Sequence, residues 1–531
     1  MSTSKQEAEL KFELQPAEFE RLSAHPALKA LTVGRAQTKN LLSIYFDTAD
    51  DVLSSAGIAL RVRKVGKSWI QTVKQGRGMR GGLSTPMELE VPVSGPEPRL
   101  DLIEDPALAE TIRKLVGKSS LLRRFETRMR RTIRMLKVEE GKIECALDQG
   151  EIVAGEAVQP LMEAELELTD GSLGALYDAA RLIFDDGPLR LSSMSKAARG
   201  FRLAHGVAPE DPAPKKKLAL SLHAKMTTEE AFGEILRACL DSISHNRLAT
   251  LAGDDPEGPH QLRVALRRLR SAFKIFRPVA DNELTRRLDR EAREMGLLVG
   301  ALRDADVVLA DIVSPVVEAE TGSTANGVPV DMQPLIATLE ARRVKIRAEV
   351  VSGLSKPAIN AFLLDLGRYA ETRGWLSEDT RQTRRLARPV TEFAARALAR
   401  RWKVCAKAAR NLDTMGAEER HALRKKLKTL RYTAEFFSGL GKPYKMKAFV
   451  RELRALQEIF GYLNDVAMAE KLVEMDPGTR SDRDDALKAA GFVMGWHLAN
   501  AENAWSHAQA RWQALADVET WWNRGKRSSR K

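Results

Sequence analysis

Charged residues at two-residue spacing open this chain, in Glu7-Ala8-Glu9-Leu10-Lys11. Side chains alternate faces along a strand, so Glu7, Glu9 and Lys11 share one surface while Ala8, Leu10 and Phe12 share the other. The pattern returns. Arg61 and Arg63 flank Val62, Glu88 and Glu90 flank Leu89, Arg128 and Arg130 flank Met129, and Glu163, Glu165 and Glu167 interleave with Ala164 and Leu166. Three acids on one strand repel by about 1 kcal/mol per pair at a surface. A closed barrel with a polar lumen, acidic on some staves and basic on others, removes that cost, because divalent cations bind the carboxylates and phosphates bind the cations. The chemistry this suits is the handling of a polyanion that carries its own metal ions.

Positioning such residues needs many short strands, and residues 1–205 read that way, with breaks at Gly76–Gly82 and Gly95–Pro98. Helical patches are expected at 16–31, 106–116 and 172–184. Residues 206–219 combine proline, glycine and lysine without periodicity and read as a linker. From 220 to 510 apolar residues fall at helical spacing almost throughout, so this half is expected to be all-helical. The stretch 314–330 reads as a mobile insertion, and 511–531 ends in a basic tail, RGKRSSRK. The fold class expected is therefore a multidomain α+β chain: an antiparallel β-barrel tunnel with flanking helices, then two pseudo-symmetric helical bundles.

That symmetry is written in the sequence. His260, Arg263, Arg267 and Arg270 reappear as His421, Arg424, Lys428 and Arg431, each 161 residues later, and Leu262, Leu266 and Leu269 reappear as Leu423, Leu427 and Leu430. Arg303-Asp304 matches Asn464-Asp465 at the same offset. One unbroken offset implies a duplicated helical hairpin. Positions i, i+3, i+7 and i+10 share a helix face, so each copy presents a basic stripe, headed by histidine, beside an apolar one. Two such stripes can meet in a channel.

Composition limits the alternatives. Cys145, Cys239 and Cys405 lie far apart without metal-type spacing, which fits a reducing cytosol. No apolar run approaches the roughly 18 residues that span a bilayer, and the polar start lacks signal-peptide regions. Residues 1–210 balance 30 Lys+Arg against 30 Asp+Glu, so the whole net charge of +13 sits beyond them and predicts an anionic partner for the helical half. No aromatic residue interleaves the basic stripes, which disfavours base stacking and hence nucleic acid.

The strand-rich half resembles the CYTH domain, or triphosphate tunnel metalloenzymes, a family that includes inorganic triphosphatases, thiamine triphosphatases and a class of adenylate cyclases. Carrying the resemblance, in order, are Glu7-x-Glu9-x-Lys11, Leu60-Arg61-Val62-Arg63, Thr72-Val73-Lys74, Glu88-x-Glu90, Arg128-x-Arg130, Asp148 in Ala-Leu-Asp-Gln-Gly, Glu163-x-Glu165-x-Glu167, and Ser195-Lys196-Ala197-Ala198-Arg199-Gly200-Phe201. The resemblance implies that Glu7, Glu9, Glu165 and Glu167 hold divalent metal, Mg2+ or Mn2+, with Glu163 and Asp148 nearby. It implies that Lys11, Arg61, Arg63, Lys74, Arg128, Arg130 and Lys196 grip a triphosphate. Where members often carry a basic residue just before the glutamate at Glu88, this chain has Pro86-Met87; Arg77 or Arg80 of the Gly-rich stretch could substitute.

Residues 220–510 resemble the CHAD (conserved histidine α-helical) domain through the paired His-x2-Arg-x3-(Arg/Lys)-x2-Arg motifs. This implies a basic groove for inorganic polyphosphate, contacted by His260, Arg263, Arg267, Arg270, His421, Arg424, Lys428 and Arg431, with Asp304 and Asp465 orienting arginines. The expectation is a cytoplasmic inorganic triphosphatase, of the kind found in bacteria, with a polyphosphate-binding module that would work at polyphosphate granules. Two alternatives stay open: a cyclase or organic triphosphatase on the same tunnel, and a non-catalytic scaffold for phosphate polymers.

Overall fold

The computed structural model describes residues 5–76, 78–207, 212–321, 330–441, 443–469, 480–518, 520 and 522. The chain forms two compact units, one from residues 1–213 with 355–374, the other from 214–354 with 375–531.

The first unit is a curled antiparallel sheet. Its strands are β1 (Lys5–Gln6), β2 (Glu9–Glu13), β3 (Thr32–Asp47), β4 (Ile58–Val65), β5 (Ser68–Gln75), β6 (Leu83–Ser84), β7 (Met87–Val93), β8 (Leu122–Val138), β9 (Gly141–Ala154) and β10 (Ala157–Gly171), in the order β1-β7-β5-β4-β3-β8-β9-β10-β2-β6. The amino-terminal stretch closes the curl. Through β1 it pairs with β7 (Lys5 opposite Glu88), and through β2 it pairs with β10 (Lys11 opposite Glu165), so one segment belongs to both sides.

The alternation that defines each strand assigns its two faces. Outward, Leu60, Val62, Val73 and Leu89 pack with Leu108 and Ile112 in one core; full burial of such a side chain is worth about 1.5–3 kcal/mol. Five helices flank the sheet: α1 (Pro16–Ala24), α2 (Pro26–Leu31), α3 (Val52–Ser55), α4 (Pro106–Val116) and α5 (Leu173–Ile183). The helical patch expected at 16–31 is split by Pro26, which cannot donate into a continuing helix. Those at 106–116 and 172–184 hold. α4 starts where Asp105 accepts from Leu108 N–H and stops at Gly117, whose φ of 57° suits glycine.

A sixth helix, α6 (Lys196–Ala204), is capped by Ser195, whose hydroxyl accepts from Ala198 N–H at 3.1 Å. It lies against the inner face of β8, β9 and β10 and contributes Phe201 and Leu203 to an apolar cluster with Tyr45, Phe125, Met129, Ile152 and Leu161. Only glycine fits at position 200, because an added Cβ would fall 2.1 Å from the Phe125 ring.

The second unit is helical: α7 (Thr228–Ala252), α8 (Glu257–Ala280), α9 (Glu283–Val307), α10 (Ser314–Thr321) and α11 (Gln333–Leu354). α12 (Pro357–Glu371) then joins the first unit, where Arg181 donates to Asp365 at 2.5 Å and Gly367 packs on Tyr177. α13 (Thr380–Leu386), α14 (Val390–Ala408), α15 (Ala417–Phe436), α16 (Pro443–Ala469) and α17 (Arg480–Asp517) complete the second unit. The insertion expected over 314–330 begins instead as α10, because Val313 and Val316 sit one turn apart and are buried with Leu335, Ala489 and Val493. Residues 322–329 and the basic tail lie outside the described residues. Among the described residues no helix is long and apolar enough to cross a membrane.

Candidate functional site: a charged bore

Inside the curled sheet lies a cavity of about 480 Å3. Glu7, Glu9, Lys11, Arg61, Arg63, Lys74, Glu165, Glu167 and Lys196 all line it, so the expected acids and bases share one space. Strand register explains why. Glu9 stands opposite Glu167, and Glu167 opposite Glu144, giving a row of three carboxylates across β2, β10 and β9. The next row carries Lys11 opposite Glu165, and the one after sets Glu163 opposite Asp148.

The inner part of the bore is neutralised internally. Lys11 Nζ lies 2.5 Å from Glu165 Oε1 and 3.0 Å from Glu9 Oε1. Lys196 reaches Asp148 at 2.8 Å and Glu165 at 2.9 Å, and it also pairs with Glu163, as does Arg199. Burial works against the charge on Glu165, but Lys11, Lys196 and Arg131 outweigh it and hold its pKa well below the usual carboxylate range. Asp148, Glu163 and Glu165 thus lie close enough to share an ion, yet all three are met by protein cations.

The mouth is different. Burial, and then the neighbouring Glu88, push the Glu7 carboxyl up to about 8. Burial also opposes charge on Glu88, but Arg61 and Lys74 bring it down to about 2; Lys74 lies 2.5 Å from Glu88 and Arg61 3.0 Å. In the same cavity, Arg63 donates to Ser43 Oγ at 3.1 Å and makes no ion pair among the described residues. Burial, Arg61 and Arg131 push its pKa down to about 10. Carboxylates and guanidinium groups thus share one space, with Glu9 paired to Lys11 at 3.0 Å and Glu7 3.8 Å from Lys74.

The donor set fits a divalent cation. Asp148, Glu163 and Glu165 offer hard oxygen ligands close enough to share one, beside the row formed by Glu9, Glu167 and Glu144.

Arg128 and Arg130 are corrected. Both point away from the bore: Arg128 pairs with Glu126 at 2.5 Å on the outer surface, and both arginines line a separate outer groove with Lys64. The inward face of β8 carries Phe125, Thr127, Met129 and Arg131, and it is Arg131 that reaches Asp148 at 2.6 Å and Glu165 at 2.5 Å. Sequence reasoning also missed Glu144 and Tyr45. The Tyr45 phenol is buried beside Arg61; burial raises its pKa, but Arg61 and Arg63 outweigh this and lower it. Arg77 lies outside the described residues, and Arg80 folds back so that its N–H donates to Leu83 O at 2.9 Å.

In the second unit the two basic stripes meet where α8 packs against α15. Arg263 donates to Asp304 at 2.7 Å and to Gly300 O at 2.8 Å, and Arg270 to Asp289 at 3.0 Å. Lys428 is pushed down to about 6 by burial and by Arg267, Arg424 and Arg431. The repeat's histidines differ in setting. His260 is half-buried and brought down to about 4 by burial and Arg303, whereas His421 is exposed. The Asp465 side chain lies outside the described residues.

Residues 5–201 match the CYTH domain model and residues 234–474 the CHAD domain model. An inorganic triphosphatase of Haemophilus influenzae is 33% identical over 205 residues, covering 37% of this chain and 55% of that protein, so the match spans about half of the relative. Among solved structures, the CHAD domain of the plant Ricinus communis is 29% identical with a TM-score of 0.48, covering 58% of this chain and 98% of that one. A Hippeastrum protein described as a putative adenylyl cyclase with a dominant triphosphatase activity is 21% identical with a TM-score of 0.24, covering 37% of this chain and 95% of that one.

Proposed function

We propose that this chain, which joins a CYTH domain to a CHAD domain, hydrolyses inorganic triphosphate to diphosphate and phosphate in the bore and binds polyphosphate along the helical unit's basic faces. The observation that carries the first part is Arg63, a half-buried guanidinium near Arg61 and Arg131 with a hydroxyl as its partner. A cation in that position calls for an anion, and arginine forks fit phosphate geometry. Glu7, Glu9 and Glu167 line the same cavity. A divalent cation held there, Mg2+ or Mn2+, supplies Lewis acidity and neutralises phosphate oxygens. The chain's own residues do the rest: Arg61, Arg63 and Lys74 orient the phosphate chain, Lys11 and Arg131 fix the carboxylates, and α6 excludes water from the inner end. Phosphoryl transfer needs little beyond such positioning and charge stabilisation.

Replacing Glu7 and Glu9 together with glutamine is expected to abolish phosphate release from triphosphate in Mg2+ or Mn2+; retained release would sink the assignment. A panel of inorganic triphosphate, ATP and thiamine triphosphate fixes specificity. The polyphosphate reading rests on Arg267, Arg424, Lys428 and Arg431, a cluster in which burial and then the three arginines depress the Lys428 pKa. Displacement of bound polyphosphate by RNA at moderate salt would favour nucleic acid instead.

A further inference from the structure

The curled sheet has a second concave site, on its outer face. Arg128 and Arg130, which alternation turns away from the bore, line a groove of about 520 Å3 with Asn40, Leu42, Lys64 and Gln149. Three cations and two amides line it, and no carboxylate does. Strand register sets them in two rows. Lys64 of β4 stands opposite Leu42 of β3, and Leu42 opposite Arg128 of β8; two residues along, Arg130 has Asn40 on one side and Gln149 of β9 on the other.

The three cations are not equivalent. Arg128 is engaged by Glu126 at 2.5 Å and lies 3.7 Å from Glu151. Lys64 and Arg130 are exposed and make no ion pair among the described residues. The Lys64 ammonium is placed by the ring of Trp69, its cross-strand partner on β5, whose centroid is 5.6 Å away. Two strand spacings across and two residues along separate the Lys64 and Arg130 backbones by about 12 Å, a gap that two long side chains can close on one ligand. Both residues adjoin bore residues in the chain, Arg63 and Arg131, but face the other way, so the sheet itself divides the two sites.

We propose that this groove binds a compact phosphate anion of diphosphate size, gripped at one end by Lys64 and at the other by the Arg130 fork, with the Asn40 and Gln149 amides beside it. Arginine forks fit phosphate geometry, and amide N–H groups donate to the remaining oxygens. Glu126 and Glu151, next to Arg128, set carboxylates against a longer phosphate chain. The site stands on the groove's own chemistry and does not depend on the hydrolysis proposed above.

The test is equilibrium dialysis of diphosphate and of orthophosphate against the full chain in EDTA, so that no metal competes for the probe. Lys64→Ala/Arg130→Ala should bind one diphosphate fewer per chain than the unmodified protein. Lys29→Ala/Lys118→Ala, the same loss of charge at exposed positions outside the groove, should bind as many as the unmodified protein. Arg61→Ala/Arg63→Ala, which strips cations from the bore, should leave the groove's diphosphate in place, so that combining it with the groove pair still removes one more. At the groove, diphosphate should bind about tenfold more tightly than orthophosphate, which reaches one end only. A groove variant that binds as much diphosphate as the control, or a groove that takes both anions equally well, would overturn the proposal and leave the hydrolysis reading untouched.

Discussion

Lys11 Nζ lies 2.5 Å from Glu165 Oε1, both side chains are buried, and the pair bridges β2 to β10 where the sheet closes. Burial disfavours the lysine's charge, yet Glu165 and Glu9 more than offset it and raise its pKa. Lys11→Met leaves Glu165 with Lys196 and Arg131 still in place, so the cost falls below that of a fully stripped buried charge, at about 2 kcal/mol. It also removes a cation aimed into the bore, and triphosphate hydrolysis should drop about a hundredfold. Thermal unfolding and phosphate release measured on the same preparation check both; a variant with unchanged stability would mean the closure does not depend on this pair.

Arg131 and Arg130 are neighbours on one strand with opposite fates, and substitution should separate them. Arg131→Ala frees Asp148 and Glu165 from a shared partner and should lower kcat/KM for triphosphate by about 10²–10³. Arg130→Ala, on the outer face, should stay within about twofold. Circular dichroism on both variants separates folding from chemistry. Equal losses would mean that β8 is read in the wrong register.

That pair also shows what the sequence made legible. Alternating charge in ExExK and EAELEL was enough to predict a shared bore, because like charges at that density need an enclosed counter-charge. On β8 the rule of charge marking the bore failed. There Arg128 and Arg130 belong to the solvated face, while Phe125, Thr127 and Met129 mark the buried one, and the informative residue was the lone cation among them, Arg131. Glu144 sat in the same alternation as Asp148 and could have been found that way. The repeat in α8 and α15 was legible because duplication preserves spacing. The docking of α12 on α5 was not, since an amphipathic helix does not say which apolar surface covers it. Nor was the pairing of the Lys215 backbone with the Asn246 side chain of α7, 31 residues on.

Lys428 sets the pH behaviour of the helical unit. Burial, and then Arg267 and Arg263 from α8 with Arg424 and Arg431 from its own helix, bring it down to about 6 from the ordinary lysine value of 10.5. Between those two pH values the unfolded chain holds a proton that the folded chain does not, so this group's contribution to stability rises as pH climbs from about 6 toward 10.5. A bound polyanion favours the charged form. Polyphosphate binding should therefore take up a proton at pH 7–8 and tighten as pH falls toward 6. Calorimetry in buffers of different ionisation enthalpy reads that uptake directly, and Lys428→Met should abolish it; uptake that persists in the variant would place the proton elsewhere.

Gly200 determines whether α6 can lie in the bore at all. A Cβ there would fall 2.1 Å from the Phe125 ring, which stacks on Tyr45 at 4.4 Å and meets Phe201 edge-on at 5.1 Å, leaving the ring no vacant side. Gly200→Val must then push the helix outward, at about 1–3 kcal/mol for overpacking. The same shift withdraws Lys196 and Arg199 from Glu163, so hydrolysis should fall with stability. Phe125→Leu alone opens space and costs stability through lost contacts, about 1 kcal/mol or more. Combined, the two substitutions should cost less than their separate effects added, because the space opened at 125 receives the side chain added at 200. A double-mutant cycle that is strictly additive, in both unfolding and phosphate release, would show that the helix does not press on this ring.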